Sequence, residues 1–165
     1  MIEKMDGWLL KYASLTKEIN TQTDKDFQGA GAAGGMGFAL LSYLGGKLES
    51  GIDLVIRETG IEDKIKSADI VITGEGRLDG QSAMGKAPVG VARVAKKYGK
   101  PVIAFSGIIG DGAEACNRSD CGIDAFFPIV RKITTLGEAM DKENAAKNLA
   151  DTAEQVARLI KVFRR

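Results

Sequence analysis

Histidine is absent from the 165 residues, which excludes Ser-His-Asp hydrolysis, Cys-His proteolysis, imidazole metal ligation and histidine acid/base work. Any catalysis must use carboxylate, Lys, Ser, Thr, backbone amides or a metal held by oxygen. Only two cysteines occur, Cys116 and Cys121, with no second pair to complete a zinc site, so they read as free thiols. An excess of charge of either sign is also missing. Lys plus Arg is 23 against 22 for Asp plus Glu, and the formal net charge of +1 gives no electrostatic case for binding nucleic acid or an anionic membrane. No run approaches the roughly 18 apolar residues of a membrane span, and Glu3, Lys4 and Asp6 do not suit a secretory signal. The expected location is the cytoplasm, with neither nucleic acid nor membrane as partner. What remains, 44% hydrophobic and 27% charged, is the balance of a soluble globular chain.

Glycine is the residue in excess. Of 21 glycines, seven lie in 29–46, five in 74–90 and three in 107–112. Glycine is entropically costly and is kept where the backbone takes positive φ or approaches a ligand closely. Three such loops in one small chain point to a phosphate or anion cradle.

Along the chain, Ile2, Met5, Leu9, Tyr12, Leu15 and Ile19 recur at steps of three and four, predicting an amphipathic helix over 2–19. Trp8 and Tyr12 read as core residues rather than adenine stackers. The polar run 20–28 ends this helix. The glycine loop 29–37 leads into a short apolar helix over 38–44 that Gly45 and Gly46 close; Ile52, Val55 and Ile56 fit a helical turn, the favoured reading, or a short strand, and a second short helix is expected over 61–67. From 68 the pattern becomes strand, loop, helix. The expected strands are 69–73, 101–105 and 124–130. The first is followed by a glycine loop from Gly74 and a helix opened by Pro88 and capped by Gly99, the second by the loop 106–112 and a short helix at 111–118. The third leads through a turn into a long helix at 142–163 with Leu149, Ala153, Val156, Ile160 and Phe163 as its apolar stripe. Such alternation predicts an α/β fold, a parallel three-layer αβα sheet with ligands at the carboxyl ends of the strands. Three strands make a thin sheet. The expectation is a chain that is part of something longer or completes itself by association.

The densest chemistry lies in Thr73-Gly74-Glu75-Gly76-Arg77-Leu78-Asp79-Gly80-Gln81-Ser82-Ala83-Met84-Gly85-Lys86. Two carboxylates, an arginine, a hydroxyl and a lysine stand between glycines ahead of a helix, whose first amides attract anions. Neither glycine loop is a Walker A, because the Gly-Lys-Ser/Thr ending is absent. Gly29-x-Gly31-x-x-Gly34 matches a dinucleotide pattern by letter only, since it follows a polar segment rather than a strand.

The glycine run Gly29 to Gly37, the stretch Ala68-Asp69-Ile70-Val71-Ile72-Thr73-Gly74-Glu75-Gly76-Arg77-Leu78-Asp79-Gly80-Gln81-Ser82, the stretch Gly85-Lys86-Ala87-Pro88-Val89-Gly90-Val91-Ala92, and Ser106-Gly107 with Gly110-Asp111-Gly112-Ala113-Glu114 resemble the bacterial type I glycerate kinase family in order and spacing. The resemblance runs from about residue 28 to the end. It implies ATP-dependent phosphorylation of D-glycerate with Mg2+ in a cytoplasmic enzyme, and a flavodoxin-like domain into which a second α/β domain is inserted, with the site in the cleft between them. On that pattern 1–67 is the tail of the inserted domain and 68–165 the carboxy-terminal half of the flavodoxin-like one. The family's amino-terminal Ser-Phe-Lys-Gly loop has no counterpart here, so the chain is expected to be inactive alone and to need the missing amino-terminal portion or self-association. The alternative is a non-catalytic binding module that completes a kinase site only with a partner chain.

Phosphoryl transfer asks a protein for positioning, for charge neutralisation and for an acceptor of the attacking hydroxyl's proton. Asp79 is the candidate for that acceptor or for a magnesium ligand, against an Asx-type turn cap; Glu75 is the second candidate for either task, against a structural hydrogen bond to loop amides. Arg77 and Lys86 suit the glycerate carboxylate or phosphates, against a plain surface charge for each, and Lys86, next to a helix start, stands among the catalytic candidates. Thr73 and Ser82 could donate hydroxyls to substrate or act as caps, and Gly74 and Gly76 let the backbone come near a phosphate. Gly29, Gly31, Gly34 and Gly35 would offer amides to an anion or serve tight helix packing. Ser106 and Gly107 form the adjacent strand-end loop, in contact with nucleotide or structural.

Overall fold

The computed structural model describes residues 1–163, and its contacts divide into two compact units, Met1–Gly51 and Ile52 onward. In the first unit α1 (Ile2–Ile19) has the bounds expected from its periodicity, but the residues it buries are different. Ala13 and Thr16 are buried and Tyr12 packs edge-on to Phe38, while Ile2, Met5, Leu15 and Ile19 of the expected stripe are at least half exposed. Trp8, expected in the core, is 61% exposed beneath the Lys4 ammonium. Tyr12 meets the expectation in part. It contacts the small cluster of Ala13, Ala30 and Phe38.

The helix α2 spans Ala32–Leu44, but Ala33, Gly34 and Gly35 all have positive φ, so regular helix begins only after Gly35. Such backbone is costly for side chains with a Cβ. The glycines make the sharp turn possible, and Ala33 is the one non-glycine residue with positive φ among those described.

In the second unit α3 (Gly51–Thr59) and α4 (Ile61–Ser67) precede β1 (Val71–Leu78). Ile56 and Ile65 of these helices join Val71, Val89, Ala92, Ala95, Val102 and Ala104 in one core, so both pack with the sheet. The sheet is parallel in the order β1, β2 (Val102–Ile109), β3 (Ala125–Pro128), with α5 (Ala87–Lys97) between the first two strands. The right period explains α5: Val89, Ala92 and Ala95 are fully buried and Lys96 and Lys97 close its last turn. The long helix α7 (Lys142–Phe163) has the expected bounds, and of its expected stripe Val156 is the buried member while Leu149 and Phe163 are exposed.

Two expectations fail at the strand ends. Strand β1 does not stop at Thr73 but runs on to Leu78, and β2 reaches Ile109, because register is kept through Glu75 opposite Ser106 and Leu78 opposite Ile109. The glycines at 74, 76 and 107 therefore lie inside strands, not in loops. A short helix α6 (Leu136–Met140) replaces part of the expected turn; Thr135 and Glu138 form a reciprocal capping box at its start.

Asp124, just before β3, accepts from the Val102 amide at 2.6 Å and from Lys96 Nζ at 2.5 Å. Burial pushes its carboxyl up, but the lysine and the amide outweigh that and hold it below the usual carboxylate range. A depressed carboxyl contributes stability that is present above its unfolded value, about 4, and lost as pH falls through the folded one. Thermal melts from pH 6 down to 2 should show the wild type losing stability more steeply below about pH 4 than Asp124→Asn. Parallel slopes would remove Asp124 from the acid response.

Candidate functional site at the end of strand β1

Strand β1 leaves the sheet at Leu78, and Asp79 begins a tight turn that passes through a 3-10 segment, Ser82–Met84, into α5. Gly80 N–H donates to the Asp111 carbonyl at 3.0 Å and Gly110 N–H to the Leu78 carbonyl at 2.7 Å, tying this turn to the one after β2. Asp79 is the hub. Its Oδ1 accepts the Gln81 amide at 3.0 Å, which is the Asx turn weighed from sequence, and stands 3.9 Å from Lys86 Nζ. Its Oδ2 is 3.3 Å from Arg77 Nε. The Asp79 side chain is 19% exposed, whereas Arg77 and Lys86 are 59% and 45% exposed, so solvent screens the pairs and their worth to stability is small. A single carboxylate thus faces two cations that water can reach and that an anionic ligand could share.

Glu75 lies on the same strand and accepts the Ser82 hydroxyl through Oε1. Its Oε2 has no hydrogen-bond partner among the described residues. The Ser82 hydroxyl also accepts the Asp79 amide at 3.1 Å. Ser106 accepts the Leu78 amide at 2.9 Å and donates to the Ile108 carbonyl at 2.6 Å. Both serines are buried, with 0% and 1% exposure. Their hydroxyls are turned into the protein.

The structure brings Glu75, Arg77, Asp79, Ser82, Lys86 and Ser106 together around this turn. Gly76 lies inside β1, and Gly107 lies against its carbonyl. Thr73 and Gly74 sit farther down β1, opposite Ala104 and Phe105; Thr73 is about 17 Å along the strand from Leu78 at roughly 3.3 Å per residue. In the other unit Gly31 and Gly35 border a cavity of about 340 Å³ lined also by Leu9, Leu10, Tyr12 and Phe38. Gly29 has positive φ and supports Leu48, and Gly34 is part of the left-handed turn.

Sequence reasoning passed over three contributors. The Cys116 thiol donates to the Asp79 carbonyl at 3.8 Å and the Cys121 thiol to the Ala83 carbonyl at 3.5 Å. Burial, then Cys121, then the Glu75, Asp79 and Glu114 carboxylates push the Cys116 thiol up, which keeps it a protonated donor. Gly110 is the third: a Cβ there would come within 2.8 Å of Arg77 Nε and 3.1 Å of Asp79 Cβ. Nothing local in the sequence announces such contacts across 30 residues and more, although buried free cysteine is itself common.

The parallel sheet with helices makes this an α/β protein, and the carboxylate flanked by two reachable cations stands at the edge of the sheet where such folds place their ligands. The glycerate kinase family matches residues 1–161, and the chain belongs to that family. It is 45% identical over 154 residues to a glycerate kinase of Halalkalibacterium halodurans, covering 90% of this chain and 40% of the relative. It is 44% identical over 157 residues to glycerate 2-kinase of Escherichia coli K12, covering 95% and 40%. Among solved structures it matches one provisionally described as glycerate kinase 2 from Salmonella typhimurium LT2, with TM-score 0.69 and 40% identity, over 99% of this chain and 41% of that one. The chain thus spans about two fifths of the length of these relatives.

Proposed function

We propose that this chain carries the carboxy-terminal portion of a cytoplasmic glycerate kinase and supplies one wall of the site at which ATP phosphorylates D-glycerate. The observation that carries this reading is Asp79, a mostly buried carboxylate set between Arg77 and Lys86 at the end of β1. The attacking hydroxyl needs a proton acceptor, and Asp79 serves as it. Arg77 and Lys86, both reachable by solvent, pair with the glycerate carboxylate or with phosphate oxygens, spreading the charge that builds up during transfer.

Magnesium suits this donor set in one respect. Mg2+ in phosphoryl-transfer sites takes one or two carboxylates and completes its shell with water and phosphate oxygens; Glu75, with a free Oε2, is the residue that would hold it, since both Asp79 oxygens already face Gln81, Arg77 and Lys86. Among the described residues no group of three or more carboxylates or thiols is gathered as a cage. When bound, the ion would neutralise nucleotide phosphate charge.

The 165 residues alone lack the rest of the length that the relatives have, and two substrates held in line require both walls of a cleft. The chain alone is therefore inactive, and the outer edge of β1, an end strand of the sheet, is where the remaining portion or a second copy pairs. A coupled assay with D-glycerate, ATP and magnesium should give turnover for a full-length form, this chain joined to the missing portion, and none for the chain alone. Turnover by the chain alone overturns the split-site reading, and no turnover by the full-length form overturns the kinase reading.

A further inference from the structure

We propose that Ser82 and Ser106 are positioning residues that aim Asp79, not contacts to substrate; the inference rests on the role given to Asp79 above. A serine hydroxyl has one proton to donate and accepts readily through its lone pairs. In both serines the proton is already committed inside the protein. Ser106 donates to the Ile108 carbonyl and accepts the Leu78 amide. Ser82 donates to Glu75 and accepts the Asp79 amide. These amides are consecutive, and they belong to the two residues at which β1 stops being a strand.

At the end of this ladder two side chains from different elements accept the amides of consecutive β1 residues. The carbonyls are held as well. Gly110 N–H donates to the Leu78 carbonyl at 2.7 Å, and the Asp79 carbonyl accepts Ser82 N–H at 2.9 Å and the Cys116 thiol. Both peptide groups next to the Asp79 Cα are therefore fixed, which fixes the direction of its side chain toward Arg77 and Lys86. Turning either hydroxyl toward a ligand would leave an amide unpaired, buried at Leu78 and part-buried at Asp79, and an unsatisfied donor out of water is costly. With 0% and 1% exposure neither hydroxyl is at the surface a substrate would touch. Ser82 has a second consequence: it joins Glu75 to the turn, so the two carboxylates are set relative to each other through one hydroxyl.

The test has a structural and a kinetic arm. Amide hydrogen exchange by NMR on this chain should find Leu78 and Asp79 protected, and protection should not depend on D-glycerate or a non-hydrolysable ATP analogue. Ser106→Ala should speed exchange at Leu78, and Ser82→Ala at Asp79, by about tenfold or more relative to the β1 amides at 71–73. In the full-length kinase both variants should lower kcat about tenfold or more with KM for glycerate and ATP unchanged, because binding groups stay and aim is lost. Unprotected amides in the wild type, or raised KM with kcat kept, would overturn the inference. The wild-type exchange measurement decides the case even where a variant fails to fold. If the full-length wild type does not phosphorylate glycerate, the kinase reading falls, while the exchange arm still decides whether the serines hold the turn.

Discussion

If Asp79 is the proton acceptor proposed above, Asp79→Asn in the full-length form should lower kcat on D-glycerate by about a hundredfold or more and leave the melting temperature within a few degrees of wild type. Asparagine keeps the shape and keeps an oxygen for the Gln81 amide, so the Asx turn survives. What disappears is the charge between Arg77 and Lys86. Those cations are about half exposed, so water and salt take up the lost pairing and the folded state is little affected. Rate and stability therefore separate. Steady-state kinetics next to a thermal melt checks this, and an unchanged kcat ends the role of Asp79 as acceptor. A loss of stability as large as the loss of rate would show instead that the carboxylate chiefly holds the turn.

This separation could not be read from the sequence, although the residues could. Strand, turn and helix from 68 onward were legible because the apolar runs at 69–73 and 101–105 are too short for helices and the helical runs begin with Pro88 and end at Gly99. The bounds of α1 and α7 followed from their periods. Which side of α1 is covered did not follow, because periodicity shows that a helix has an apolar stripe and not what lies against it. Met5, Leu15 and Ile19 remain exposed while Thr16 is buried with its hydroxyl on the Tyr12 carbonyl. The strand ends were misjudged for a different reason. Glycine has low strand propensity, so a stretch such as Thr73-Gly74-Glu75-Gly76-Arg77 reads as loop, yet here glycine is what lets two backbones close on each other.

In the candidate site the carboxylates and cations stand out by composition, while the sequence leaves two roles open for each serine: hydroxyl donor or cap for Ser82, nucleotide or structural contact for Ser106. The structural partner of Ser106 is Leu78, 28 residues away. Contacts at that separation are set by the register of β1 against β2, which no local window contains. The capping box at Thr135 and Glu138 is the opposite case: its spacing of three was readable, and α6 was missed only because the segment is short.

The register itself can be tested at Gly107. A Cβ built there would lie inside van der Waals contact of the Gly76 carbonyl oxygen, a backbone atom of β1 that has no rotamer by which to move away. Gly74 shows the same relation to the Phe105 carbonyl, so the two strands approach closely at two places, one on each partner. Gly107→Ala must push β1 from β2 or break the ladder just where Ser106 receives the Leu78 amide. Overpacking of this kind costs about 1–3 kcal/mol and more where the neighbour cannot yield. In a domain of this size 2 kcal/mol is about 4–8 °C in melting temperature. Gly76→Ala is the control, because its Cβ would meet nothing within 4 Å, and it should leave stability unchanged or raise it by up to about 1 kcal/mol, since glycine in a strand loses more backbone freedom on folding than alanine. Urea unfolding of the two variants checks the difference. Equal stability would mean that β1 and β2 are not in the register that puts Glu75 opposite Ser106, and the aim of Asp79 would then have to come from elsewhere.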